Sequence, residues 1–314
     1  MKKIIKYYLT GIIAIFAMAI GTIAYQGSSY AIETTLTVSP MEQKMTIYPG
    51  EVSTGSIKVS NRADAKETLY YTVSAVPFTR TGDNYDPMVG EELNGSYNDI
   101  VSWVTFSSTS GALEPNETDE IIYTINAPKG TRGGGQYFAI LVTRKNSPNT
   151  AEENSLNLEA IIQIASTVYV TVSGEDIQLA GTIKDNNIPS FIMQPPLTAS
   201  FFVENTGNTH MEINYFMQVF PLFSNEEIYT NEENPLMATV LPGTTRYVTQ
   251  SWKDMPQIGI FKVRQIALYG TDVENKSVSE RIVVVCPLWL LFIIIFAIIL
   301  IIFWLVAKSR GRKK

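Results

Sequence analysis

Residues 55 to 78, GSIKVSNRADAKETLYYTVSAVPF, align without a gap to residues 199 to 222, ASFFVENTGNTHMEINYFMQVFPL. Ser56 meets Ser200, Val59 meets Val203, Asn61 meets Asn205, Tyr71 meets Tyr215 and Pro77 meets Pro221. In each copy an alternating apolar strand (Ile57 and Val59; Phe201 and Val203) runs into an Asn-led polar turn. A second alternating strand follows, Leu69, Tyr71 and Val73 in one copy and Ile213, Tyr215 and Met217 in the other. A period of two places every second side chain on one face, which is the signature of a half-buried strand. A chain that carries this pattern twice is expected to build two similar β units.

The echo continues downstream. ALEPNETDEIIYTINAP, residues 112 to 128, is matched by VLPGTTRYVTQSWKDMP, residues 240 to 256, each with a turn proline (Pro115; Pro242) and a terminating proline (Pro128; Pro256). Gly135 and Gly259 then lead into aromatic-bearing strands. The run KGTRGGGQYFAIL, residues 129 to 141, could cradle a phosphate or turn the chain. A phosphate loop needs a helix after it and a Lys-Ser/Thr pair. Tyr137 to Val142 reads as a strand instead, so Gly133, Gly134 and Gly135 are expected in a strand-to-strand turn.

Many short strands with no amphipathic helix between them imply an all-β chain of two immunoglobulin-like antiparallel β-sandwich domains followed by one transmembrane helix. LNLEAIIQIASTVYVTVSG, residues 156 to 174, supplies the last strand of the first unit, which places the units at 32–174 and 175–281. RKNSPNTAEEN before it reads as an exposed loop.

The ends set an address. Lys2, Lys3 and Lys6, an uncharged stretch from Leu9 to Ala24 and small residues at Ser29 and Ala31 make residues 1–31 a secretory signal, with an uncleaved anchor as the alternative. Val283 to Ala307 is 25 residues without a charge, more than the roughly 20 a helix needs to cross a bilayer. The span is therefore placed at 282–307, with Trp289 and Trp304 at its interfaces and the basic tail 308–314 in the cytoplasm. The expected location is a cell membrane, single-pass, with the N-terminal part outside.

All 30 Asp and Glu and only 16 of the 24 Lys and Arg lie between these ends, a net charge of −14. That excludes nucleic acid as a partner by bulk charge. Cys286, the only cysteine, falls at the start of the span and is read as packing there, with lipidation as the alternative, so no disulfide staples the exported part. His210, the single histidine, lies on a turn flank and is expected in solvent. Asp83, Asp86, Glu91 and Glu92 in GDNYDPMVGEEL could offer oxygens to calcium, but their spacing does not match the twelve-residue calcium loop. No catalytic, cofactor-binding or metal residue is assigned, and the chain is expected to be no enzyme.

YPGEVSTGSIKVSN, YNDIVSWVTF and ALEPNETDEIIYTINAPKGTRGGGQYFAIL together resemble the first domain of the WxL-interacting proteins of Gram-positive cell surfaces. FFVENTGNTH, NPLMATVLPGTTRYVTQSW and QIGIFKVRQIAL are similar to their second domain. The resemblance covers most of residues 36 to 270 and implies a membrane-anchored scaffold that holds envelope surface proteins bearing Trp-x-Leu motifs and contacts peptidoglycan or host material. It carries over no binding residue. The alternative is a chaperone-like assembly factor that pairs strand edges with surface proteins. That reading asks for an unprotected edge and a basic pair in a cleft between the domains, with Arg132 and Lys145 as candidates flanking the relevant strand. A weaker third reading, a lipoprotein-like receptor, lacks the N-terminal lipidation cysteine.

Overall fold

The computed structural model describes residues 35–81, 85–90, 100–145, 161–270 and 275–311, with no side chains at 303 and 306–311. The signal, the acids Asp83, Glu91 and Glu92, the loop from 146 to 154, the start of the 156–174 strand and the charged groups of the basic tail fall outside that description.

The alternating stretches form 19 strands among the described residues, in two sandwiches, as the repeat predicts. In the first, β1 (Leu36–Ser39), β3 (Val52–Asn61), β8 (Thr118–Asn126) and β6 (Val104–Phe106) make one sheet in that order. The other sheet runs β2 (Glu42–Ile47), β10 (Gln163–Val172), β9 (Gly134–Lys145) and β4 (Leu69–Thr81). Two short strands share the far edge of β4, β7 (Ser110–Leu113) at its start and β5 (Asp86–Val89) at its end. Val59, Tyr71, Ile121, Tyr123, Phe138, Ile140, Val168 and Val170 interleave between the sheets as one buried core.

The second sandwich repeats the plan. β11 (Gly181–Asn187), β13 (Leu197–Asn205) and β17 (Thr245–Trp252) face a sheet ordered β12 (Phe191–Ile192), β19 (Asn275–Val285), β18 (Gly259–Tyr269), β14 (Met211–Pro221) and β15 (Tyr229–Thr230). The remaining strand, β16 (Leu236–Val240), pairs with β14. The architecture is all-β and antiparallel with two exceptions: β2 runs parallel to β10, and β12 runs parallel to β19. In both sandwiches the first strand thus changes sheets and lies along the last one.

The repeated asparagine has a physical cause. Asn61 is 1% exposed and donates through Nδ2 to the carbonyls of Glu67 and Leu113, both at 3.0 Å. Asn205 is fully buried and donates to the carbonyls of Thr209 and Val240, both at 2.8 Å. Each amide therefore clamps its own turn to a strand that crosses it. The backbone agrees, since the carbonyl of Asn61 accepts from the amide of Asn116 and that of Asn205 from Gly243. No other side chain of this length offers two donors and no positive charge.

The glycine run is not the turn itself. Pro128 to Thr131 makes the turn, closed by the Thr131 amide on the Pro128 carbonyl at 3.2 Å. Gly134 and Gly135 already belong to β9, where the second sandwich presses on the strand. The Gly135 amide donates to the carbonyl of Asn208 at 2.8 Å. At Gly134, φ is +145° and a Cβ would stand 2.9 Å from that same carbonyl oxygen, so only glycine lets the two backbones meet.

The last strand reaches Val285, and the Cys286 amide still donates to the Ile192 carbonyl at 3.0 Å. Val283 and Val285 are core residues of the second sandwich, so the charge-free run is divided between sheet and helix. Helix α1 (Leu288–Gly311) follows, with Trp289, Phe292 and Phe296 more than half exposed. Among the described residues, no helix is long and apolar enough to cross a membrane.

Asn205→Ala should remove both donors and strand two buried carbonyls, a loss of about 2–4 kcal/mol. Chemical denaturation of the wild type and variant checks it, and Asn61→Ala is expected to cost a similar amount.

Candidate functional site

One contact between the sandwiches is made by a tyrosine of the first that enters the core of the second. β4 is 13 residues long and outruns the first core, carrying Phe78 and Arg80 toward the second sandwich. Beyond it Tyr85, at φ +56°, is 3% exposed and packs with Phe201, Val203, Tyr215 and Val240 of the second core. The Leu241 amide donates to its phenol oxygen, and the phenol donates to Thr244 Oγ1 at 3.0 Å. Thr244 Oγ1 donates in turn to the Leu241 carbonyl at 2.8 Å. Burial raises the Tyr85 pKa, which keeps the phenol protonated for this circuit. Leu241 packs from the other side on Phe78, Tyr137 and Tyr169 of the first sandwich.

Two guanidinium groups flank Tyr85. Arg80 Cζ lies 5.7 Å from the centre of its ring and Arg246 Cζ lies 5.0 Å from it. Arg80 donates through Nε to the Tyr169 hydroxyl at 3.0 Å and through Nη1 to the Tyr85 carbonyl at 3.2 Å. Arg246 donates to the Thr239 carbonyl at 2.9 Å. Among the described residues neither arginine forms an ion pair. Lys44 is different: it pairs with Glu212 and, at 3.5 Å, with Glu42. Burial works against its charge, but the two glutamates outweigh it and hold its pKa above the ordinary lysine value.

These groups line a cavity of about 320 Å³ bounded by Glu42, Lys44, Arg80, Tyr169, Glu212, Thr239 and Arg246. They come from six strands, β2 (which supplies both Glu42 and Lys44), β4, β10, β14, β16 and β17. A larger recess of about 550 Å³ opens where α1 leaves the second sandwich, but its walls (Met193, Gln194, Pro195, Gln257, Pro287, Leu288 and Trp289) hold no titratable group.

Arg132 and Lys145, the pair expected to flank the relevant strand, do not meet. Arg132 precedes β9 and Lys145 ends it, with 12 strand residues separating Arg132 from the strand's far end, roughly 40 Å of extended chain. His210 is not in solvent. It is half-buried between the edges of Tyr137 and Tyr169, with ring centres 5.8 and 5.6 Å away. Acids that could hold a metal form no group among the described residues, where Asp86 lies in β5. The element that matters in GDNYDPMVGEEL is its tyrosine.

No family model matches the chain, and no curated protein does. Among solved structures it is similar to the class 5 fimbriae chaperone CfaA, at 11% identity over 78% of this chain and 98% of that one, with a TM-score of 0.39. The CupB2 chaperone of Pseudomonas aeruginosa matches at 8% identity over 79% and 100% of the two chains, with a TM-score of 0.35. A Salmonella enterica SafA pilin in complex with the SafB chaperone matches at 10% identity over 81% and 98%, with a TM-score of 0.35. These findings correct the expected scaffold for Trp-x-Leu proteins and peptidoglycan, which finds no counterpart, whereas chaperones recur. TM-scores this low carry no argument for a mechanism, which must rest on the chain's own edges and charges.

Burial lowers the His210 pKa first, and Lys44 lowers it further, against the opposing pull of Glu212 and Glu42. The unfolded chain then takes up a proton at higher pH than the folded one, so stability should fall as pH drops below about 6.5 toward the folded value. Thermal melts against pH check this. His210→Gln should flatten the slope in that window, and an unchanged slope would remove His210 as its source.

Proposed function

We propose that the chain is a non-catalytic, chaperone-like factor that takes an extended segment of an exported protein onto the edge of β10. The observation that carries this is an uncharged strand edge that, among the described residues, has no strand paired beside Gln163 to Ala165 on the side opposite β9. β2 covers β10 only from Thr167 to Val172. The Ile162 carbonyl accepts from the Arg144 amide on β9, while the Thr167 amide donates to the Met41 carbonyl on the opposite side. Backbone polarity alternates along a strand, so the groups of Gln163 and Ala165 face outward on the Thr167 side. Among the described residues no backbone partner meets them there.

Edges of this kind are normally blunted by charge. The corresponding last strand of the second sandwich obeys the rule, since β19 beyond its two-residue contact with β12 carries Lys276, Glu280 and Arg281. IIQIAS, the start of β10 with the two residues before it, has no charge. Ile161 is 74% exposed, and Ile162 and Ile164 pack on the core while remaining part-exposed. An added strand would satisfy the outward amides and cover these side chains.

The setting rests on the sequence. The signal of residues 1–31, the apolar run into α1 and the basic tail support an anchor in a cell membrane with both sandwiches outside. The motifs quoted above support kinship with the WxL-interacting proteins, and the client is read as an exported protein.

Ile161→Lys combined with Gln163→Lys should guard the edge without disturbing the core, because both side chains are exposed. Cross-linking in cells should then lose the exported partners that the wild type captures, with an unchanged melting temperature. Equal capture by a folded variant would sink the proposal.

A further inference from the structure

We infer that the end of the second sandwich from which α1 leaves is a lipid-binding face, seated on the surface of a phospholipid bilayer through apolar loop tips. This rests on the reading of α1 as a membrane anchor. Only Cys286 and Pro287 separate β19 from α1, and the amides of Leu290 and Leu291 donate to the Pro287 carbonyl at 3.0 and 3.1 Å. The helix therefore starts at once, with a proline at its entry. The sandwich is thereby held close to whatever surface α1 enters.

Four neighbouring strands of one sheet reach this end, in the order β12, β19, β18 and β14. Phe191 and Ile192 pair with Val284 and Val285, Gly259 stands opposite Val285, and the Leu222 amide donates to the Ile260 carbonyl at 3.0 Å. The residues just past these pairings are therefore level with one another. They are apolar: Met193 after β12, Leu288 and Trp289 after β19, Ile258 before β18 and Phe223 after β14. All are exposed, Phe223 at 96%. The recess of about 550 Å³ bounded by Met193, Pro195, Leu288 and Trp289 opens at the same place.

Single exposed apolar residues are ordinary, but a cluster of them at one end marks a surface that something covers. The helix says what covers this one. Leu288 to Ala307 carries no charge, and tryptophan at the end of an apolar helix favours the boundary between headgroups and acyl chains. Loop tips level with Trp289 reach that boundary too, where their apolar groups leave water. The charges nearest in sequence, Glu226, Glu227, Lys253 and Asp254, are all exposed and can stay among the headgroups. With three acids against one base, these loops gain nothing from an anionic surface. A neutral phosphatidylcholine bilayer therefore suffices.

The test uses the full chain in phosphatidylcholine nanodiscs, in a Cys286→Ser background, with one added cysteine at a time carrying a nitrobenzoxadiazole probe: Phe223→Cys, Ile258→Cys, Ile298→Cys or Thr245→Cys. Ile298 lies within α1 and reports the anchor. Thr245 starts β17, at the far end of that strand from Trp252, and reports bulk water. Each replaced side chain is exposed, so the core is left intact. The probes at Phe223 and Ile258 should emit at shorter wavelength than the one at Thr245. Lipids brominated at shallow acyl carbons should quench both and spare Thr245, and deeply brominated lipids should quench Ile298. Quenching at Ile298 with none at Phe223 and Ile258 overturns the lipid face and leaves the anchor standing. No quenching at any position overturns both. A shortened wavelength at Phe223 without quenching identifies a protein cover such as a second copy, which also overturns the lipid face.

Discussion

The junction depends on one buried tyrosine. Tyr85 leaves the first sandwich and completes the core of the second, and its phenol is tied into the backbone at Leu241. A ring of this size brings a large apolar area out of water, and the satisfied hydroxyl removes the cost of burying it. Arg80 and Arg246 approach it from different sandwiches, while His210 sits against Tyr137 and Tyr169 of the first. The two sandwiches share no strand pairing among the described residues, so their relation is set by side chains at this junction together with the backbone contact of Gly135 to Asn208.

Much of the fold was legible in the repeat. The period of two located the strands, and the coincidence of Asn61 with Asn205 marked a position whose chemistry the structure explains by matching pairs of donated bonds. The glycines were read correctly as structural but misplaced by a few residues. Their constraint is the carbonyl of Asn208, a residue distant in sequence, and local pattern holds no trace of such an encounter. The end of the second sandwich was blurred for a similar reason. Val283 to Val285 are as apolar as the helix that follows, and hydropathy does not distinguish a buried strand from the start of a span.

The site was hidden because its residues have no local signature. Arg80 reads as an ordinary charge at a strand end, Arg246 as one of the polar positions of an alternating strand, and Tyr85 as a bystander in an acidic loop. Arg132 and Lys145 drew attention by flanking one strand, which is the arrangement that keeps two side chains apart. The β10 edge was half visible, since IIQIAS stands out as uncharged in an acidic chain. Which side of it would be left bare depends on how far β2 runs.

Arg80 and Arg246, which form no ion pair among the described residues, would also shape the timing of an encounter. Beyond the screening length, about 8 Å at physiological ionic strength, an approaching acidic group would meet the repulsion of residues 32–282, whose net charge is −14. Only after entering the cleft does it meet the guanidinium pair. Arrival of such a group would be slow and unguided, whereas its departure would require breaking contacts made at short range. A pocket arranged this way discriminates among partners by how long each one stays.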